Sequence, residues 1–215
     1  MANDAIQTRL RSFTMTTTEP TTRDLIVAAA DQLFYQHGYE KTSFADIADE
    51  VGISRGNFYY HFKSKDDILL AVIELRARRT QAMLEAWTTQ GKTPAERLRC
   101  FAQMLVRNRW EIERFGCPVG TLCAELAKSQ HPAQDDVGMI FAQFRRWLRE
   151  QFEAMGHEED ADALAMHILA RSQGIAALAN AFHDEGFIRH EVDGIERWLD
   201  GLGQQRRRRP RKLPA

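Results

Sequence analysis

The chain is poor in the residues on which secreted, metal-built and catalytic proteins depend. It has three cysteines, Cys100, Cys117 and Cys123, which leave one over from any single disulfide. They fall in no paired metal-ligand spacing, so no metal site is expected, and a reducing, cytoplasmic setting is the simpler reading. No apolar run approaches the roughly 20 residues that cross a bilayer, which excludes an integral helical membrane protein. Residues 1–20 lack the apolar core of roughly 7–15 residues that a secretory signal needs. There is no H-E-x-x-H, C-x-x-C, G-x-S-x-G or phosphate loop. The histidines are scattered, with His157, His167, His183 and His190 spread around acidic turns. An enzyme needs a positioned constellation, and none is visible, so no cofactor is expected either.

What is present is ordinary globular material: 44% hydrophobic and 27% charged residues over a length of 215. That allows one sizeable domain or two small ones. The net charge of −1 hides a separation. Arg206 to Arg209, Arg211 and Lys212 supply six of the 29 basic groups, leaving 23 basic against 30 acidic groups before them. An acidic body is a poor general polyanion binder, so nucleic-acid binding would need a local basic surface. Residues 1–20, rich in Thr and without apolar period, read as a flexible arm carrying Arg9 and Arg11. Residues 204–215 read as a disordered basic tail.

The organising stretch is Thr42 to Lys65. Phe44, Ile47, Ala48 and Val51 share one face of a short helix. Gly52 breaks it, and Ser54 reads as the N-cap of a second short helix, Arg55 to His61. Two short helices joined by a tight Gly turn make a helix-turn-helix. Upstream, Thr21 or Thr22 caps a helix with Leu25, Ala28, Ala29, Leu33 and Phe34 on its buried face, stopped by Gly38. Downstream, Ser64 to Asp67 forms a capping-box-like start to a long helix, about Lys65 to Thr89.

The run GYEKTSFADIADEVGISRGNFYYHFKSKDDIL resembles the DNA-binding domain of the TetR family of transcriptional regulators, over about Thr22 to Ala71. The resemblance implies an all-α protein. A helix-turn-helix domain over 21–67 would be followed by a helical ligand-binding and dimerisation domain over 68–203. It also implies a homodimer on a palindromic operator in double-stranded DNA, released by a small-molecule effector. Arg55 can fork onto guanine O6 and N7, and Gly56 lets the backbone approach the groove. Asn57 reads adenine or holds a phosphate. Tyr59 and His61 match family positions at the phosphate backbone or base rims, and Lys65 matches a phosphate clamp. Thr42 and Ser43 sit at a helix N-terminus suited to a phosphate, Ser54 caps the recognition helix, and Tyr60 is either a contact or packing. In some members a basic arm reaches the minor groove, a role open to Arg9 and Arg11.

Beyond the Gly91 break, Thr93-Pro94-Ala95-Glu96 starts a helix to about Arg114. A short helix follows the turn at Phe115 to Gly120. Longer ones are expected over about 133–155 and 160–183, with a last one from about Val192 to Leu202 after an interruption at Gly186. Phe101, Met104, Trp110, Cys117, Phe144, Trp147 and His167 are candidate effector-pocket residues, pointing to a hydrophobic or aromatic ligand. Each also reads as simple core. The last two helices resemble the family's dimer pair, with Ala163, Ala170, Gly174, Ala177, Ala181, Ile195, Trp198 and Leu199 at the interface. The turn at Gly116 to Gly120 also resembles one in family members that sense electrophiles through a nearby cysteine, an alternative role for Cys117. A further alternative is a helical protein-interaction module without DNA binding. The long helix, shared by both halves, suggests a lever: effector binding tilts it and spreads the recognition helices.

Overall fold

The computed structural model of this chain describes residues 19–208. Among them are ten α-helices and no strand, and no helix is long and apolar enough to cross a membrane. The arm, with Arg9 and Arg11, and the tail from Arg209 onward lie outside the described residues.

Local side chains build the helix starts in the first third. Thr21 opens α1 (Thr22–His37): its hydroxyl accepts from the Asp24 amide while the Asp24 carboxylate takes the Thr21 N–H. Ser43 and Asp46 repeat this reciprocal box at α2 (Phe44–Val51). Ser54 caps α3 (Arg55–His61) through the Asn57 amide, and Ser64 with Asp67 caps α4 (Lys65–Gln90). A helix of seven or eight residues does not persist alone, because nucleation costs more than so few hydrogen bonds return. Caps and packing must hold α2 and α3 in place. Gly52, at φ +74, turns the chain between them through the left-handed region that favours glycine.

The remaining helices are α5 (Pro94–Arg107), α6 (Arg109–Phe115), α7 (Pro118–Lys128), α8 (Gln134–Ala154), α9 (Ala161–Phe182) and α10 (Glu185–Arg208). Thr93 caps α5 with Pro94 in the first turn. Four expectations shift. The single helix expected from Pro94 to Arg114 is two, broken at Asn108. The buried face of α1 is Ile26, Val27, Ala29, Ala30 and Phe34, with Leu25, Ala28 and Leu33 only half-buried. The last helix starts at Glu185, because the Asp184 carboxylate accepts from the Gly186 and Phe187 amides and makes this glycine a first-turn residue. It then runs through Arg208, into the stretch read as a disordered tail. Arginine is a good helix former, and extending an existing helix needs no new nucleus.

The chain divides into two compact units. The first comprises residues up to Arg78 together with Thr121–Val137; the second comprises Arg79–Gly120 and the residues from Gly138 onward. On sequence grounds the first domain ends at residue 67 and residues 121–137 belong to the second. Packing brings 68–78 and 121–137 to the first unit.

In the first unit Ile26, Ala30, Ile47, Phe58, Phe62, Ile68, Leu69, Val72 and Leu126 are buried. Arg76 (7% exposed) pairs there with Asp31, Nε to Oδ1 at 2.6 Å, tying α4 to α1. In the second unit Leu98, Phe101, Ile140, Leu148, Phe152, Ile168 and Ile195 form the core.

Candidate nucleic-acid interface

The fold of α3 separates packing from display. Phe58 and the C-cap residue Phe62 are 1% and 2% exposed, so they anchor the helix. Phe58 packs on Phe44 of α2 at 5.1 Å between ring centroids. The opposite face carries Arg55, Gly56, Asn57, Tyr59 and Tyr60, all exposed. Tyr60, left open between contact and packing, is 78% exposed and turns its ring edge-on to His61. Tyr59 is held edge-on to Phe44 at 5.5 Å, which orients its hydroxyl at low entropic cost. A Cβ added at Gly56 would meet nothing within 4 Å, so the fold does not require glycine there. Ser43, Phe44, Ala45, Ala48, Arg55, Phe58 and Tyr59 line a cleft between α2 and α3.

Two acidic residues beside this face, Asp46 and Asp67, are engaged. Asp46 and Asp67 sit on the helix starts they cap, where the N-terminal dipole and amides offset their charge. The Ser43 amide, then its hydroxyl, holds the Asp46 carboxyl below the usual carboxylate range. Lys63 and Lys65 lie just beyond α3. The Lys63 ammonium donates to the Tyr59 carbonyl, capping the C-terminal end of α3. Lys65 Nζ donates to the Glu40 carbonyl at 3.1 Å and lies 4.3 Å from the centre of the Tyr39 ring. Lys63 and Arg23, whose guanidinium lies over the Phe62 ring, were absent from the sequence-derived set. For Lys63 the available signal was its place two residues after α3; Arg23, on α1, gave none.

One residue leaves the candidate set. Thr42 is 3% exposed and its hydroxyl donates to the Gly38 carbonyl at 2.8 Å, so it shapes the turn after α1 instead of facing a phosphate. Position relative to a helix start does not reveal which way a side chain turns. Ser43 stays exposed, with its amide and hydroxyl both bonded to Asp46.

Tyr39, buried behind this surface, donates its hydroxyl to Asp66 Oδ1 at 2.6 Å. Burial and then that carboxylate push the Tyr39 hydroxyl far above its ordinary pKa, while the hydroxyl holds Asp66 down. His131 Nδ1 accepts from the Ala133 amide, which leaves Nε2 to carry the proton towards Asp66 at 3.5 Å.

The effector-pocket candidates divide. In the second unit Trp87, Phe101, Phe144 and Trp147 form an aromatic cluster with centroids 5.7–6.3 Å apart. Trp147 Nε1 donates to Thr88 Oγ1 at 2.9 Å, and Met104 is half-buried. Trp110 is 53% exposed, on the side of α6 opposite the buried Ile112. His167 is exposed and lies against Trp198 at 4.9 Å. Neither joins the cluster. The half-buried Cys117 lets its sulfur accept from the Gly120 amide at 3.4 Å. Among the described residues no group of three or more potential ligands is placed for a metal.

The dimer candidates also divide. Ala163, Ala170, Gly174, Ala177 and Ala181 are exposed, as are Met166, Leu178 and Phe182, while the reverse face of α9 is buried. Ile195 and Leu199 are 0% and 1% exposed and belong to the core of their own chain. With Ile188 and Val192 they make the inner stripe of α10, so neither has surface left for a partner. Trp198 stays half-buried against Phe152 and His167.

Comparison with known proteins agrees with this geometry. Residues 26–72 match the model of bacterial regulatory proteins of the tetR family, and residues 94–191 match the C-terminal domain of LmrA/YxaF-like transcriptional regulators. The chain is 27% identical over 188 residues to an uncharacterised HTH-type transcriptional regulator in the lacX 3′ region of Lactococcus lactis subsp. lactis, covering 86% of this chain and 96% of the relative. To the regulator YxaF of Bacillus subtilis it is 25% identical over 158 residues, 71% of this chain and 81% of that one. Among solved structures, a TetR transcriptional regulator from Legionella pneumophila superposes with a TM-score of 0.73 at 25% identity, covering 86% and 98% of the two chains.

Proposed function

The chain belongs to the TetR family of transcriptional regulators, and from that premise we propose that it is a homodimeric repressor released from a palindromic operator by a small hydrophobic or aromatic effector. Its relatives are regulators, not enzymes. The observation that carries the reading is the division of α3: Phe58 and Phe62 are buried while Arg55, Asn57, Tyr59 and Tyr60 stand exposed. Arg55 reads a guanine edge through its guanidinium fork. Asn57 reads adenine or a phosphate, and Gly56 allows close approach. Ser54, Tyr59, Tyr60, His61, Lys63 and Lys65 hold the phosphate backbone on either side.

Two copies set their recognition helices about one turn of DNA apart, roughly 34–36 Å, which matches a palindrome. The exposed α9 face supports self-association, since Ala163, Met166, Ala170, Ala177, Leu178 and Phe182 form an apolar surface without cover. Gly174 is open there, with nothing within 4 Å of an added Cβ. Gly174→Leu therefore leaves the folded chain intact and weakens the dimer at least about tenfold by sedimentation; an unchanged dimer would move the interface elsewhere. Effector binding near Phe101, Met104, Phe144 and Trp147 then favours a tilt of α4 that spreads the recognition helices. It can do so only through unequal affinity for the two states. A crosslink fixing the two DNA domains at operator spacing should abolish induction.

The decisive experiment is selection of genomic fragments by the purified protein, repeated with Tyr59→Ala. One palindrome, recovered by wild type and lost by the variant, establishes a specific regulator. No recovery at low salt without ligand removes the reading in favour of an interaction module.

A further inference from the structure

The main chain of the turn after α1 is gripped from a segment far away in sequence. Glu125, on α7, accepts from the Tyr39 amide at 2.9 Å through Oε2 and from the Glu40 amide at 2.8 Å through Oε1. A Cβ at Gly38 would stand 3.1 Å from Glu125 Oε1, so the bare backbone at φ +89 leaves space for this carboxylate. Several other polar groups of the turn are also engaged. Thr42 donates its amide to the Tyr39 carbonyl and its hydroxyl to the Gly38 carbonyl. The Glu40 carbonyl takes the Lys65 ammonium, which lies over the Tyr39 ring.

We propose that Glu125 is a positioning residue of the DNA interface: its carboxylate fixes the Tyr39–Glu40 main chain, which in turn presents Lys65 to the phosphate backbone. This rests on the operator-binding reading above. A carboxylate accepting two amides makes charge-assisted bonds with a fixed direction, so it holds the peptide plane of Glu40 and the direction of its carbonyl. Lysine has three donors and spends one on that carbonyl, leaving two for a phosphate. A Gln offers one acceptor oxygen where Glu offers two. Glu125→Gln therefore releases one of the two amides without changing side-chain volume.

The test is a double-mutant cycle of Glu125→Gln and Lys65→Met, read as operator affinity against salt concentration. Wild-type binding is measured first. Its absence would overturn the operator-binding reading, and hydrogen exchange below would still test the clasp. Each single variant should lose roughly tenfold in affinity and about one unit of the log K against log[salt] slope, the signature of one lost phosphate contact. If Glu125 acts through Lys65, the double variant binds no worse than Lys65→Met alone. Additive losses, or wild-type affinity in Glu125→Gln with only a lowered Tm, would overturn the proposal. Native-state hydrogen exchange on the wild-type protein needs no variant: the Tyr39 and Glu40 amides should be protected, and free exchange at both would overturn it as well.

Discussion

The two units of this chain are encoded in different ways. In the first, α2 and α3 have eight and seven residues, and each helix start from α1 to α4 carries a Ser or Thr cap. In the second, α9 and α10 run to 22 and 24 residues, and the Asp160 side chain at the start of α9 makes no cap bond. Short helices depend on specific atoms at specific positions, whereas long ones depend on a stripe of apolar area that many sequences supply. The first strategy leaves a readable motif and frees a face for display. The second leaves a pattern that says "bundle" without saying what the bundle holds.

The strongest way to break this comparison is to remove one ring from each unit. Phe58→Ala and Phe101→Ala both delete a ring about 1% exposed and should each cost roughly 3–5 kcal/mol in denaturant unfolding. Their functional outcomes should differ. Phe58→Ala loses operator binding even where the helical signal persists, because α3 loses its anchor. Phe101→Ala keeps operator binding at low temperature and loses the response to effector. Equal loss of DNA binding in both would mean the units are not separately encoded.

A smaller effect tests display without touching the core. Arg55→Ala should leave Tm unchanged and cost about 1–3 kcal/mol of operator affinity, with relaxed selection at one base pair. Caps come next. Ser43→Ala removes a reciprocal box from an eight-residue helix, and Thr93→Ala removes a cap from the 14-residue α5. Each should cost about 1 kcal/mol in stability, but only Ser43→Ala should also weaken operator binding.

The smallest effect is expected in acid. Asp46 and Asp66 in the first unit, and Asp162 in the second, are held below the usual carboxylate range. The causes are the Ser43 amide, the Tyr39 hydroxyl and the Arg145 guanidinium respectively. A depressed folded-state pKa gives stability that is present above the unfolded value and lost as pH falls through the folded one. Melting temperature should therefore be flat from about pH 7 to 5 and fall below about pH 4. Asp162→Asn and Asp66→Asn should each shallow that fall.

The same contrast governs how much could be read in advance. The caps at Thr21, Ser54, Ser64 and Thr93 and the turn at Gly52 follow from residues within four positions of each other. The small-residue stripe of α9 was legible as a second apolar face, assigned to a dimer only through the family resemblance. The inward turn of Thr42 and the burial of Ile195 and Leu199 were not. Each depends on how segments pack together, which no single stretch shows.

By itself the sequence determined the all-α class, the helix-turn-helix and the residues it displays, because those depend on local hydrogen bonds and a 3.6-residue period. Only the tertiary structure decided that residues 121–137 pack with the first unit and that Glu125 grips the Tyr39–Glu40 backbone across 85 positions. A carboxylate is ordinarily a solvated surface group. What makes this one a clasp is the pair of amides that folding brings to it.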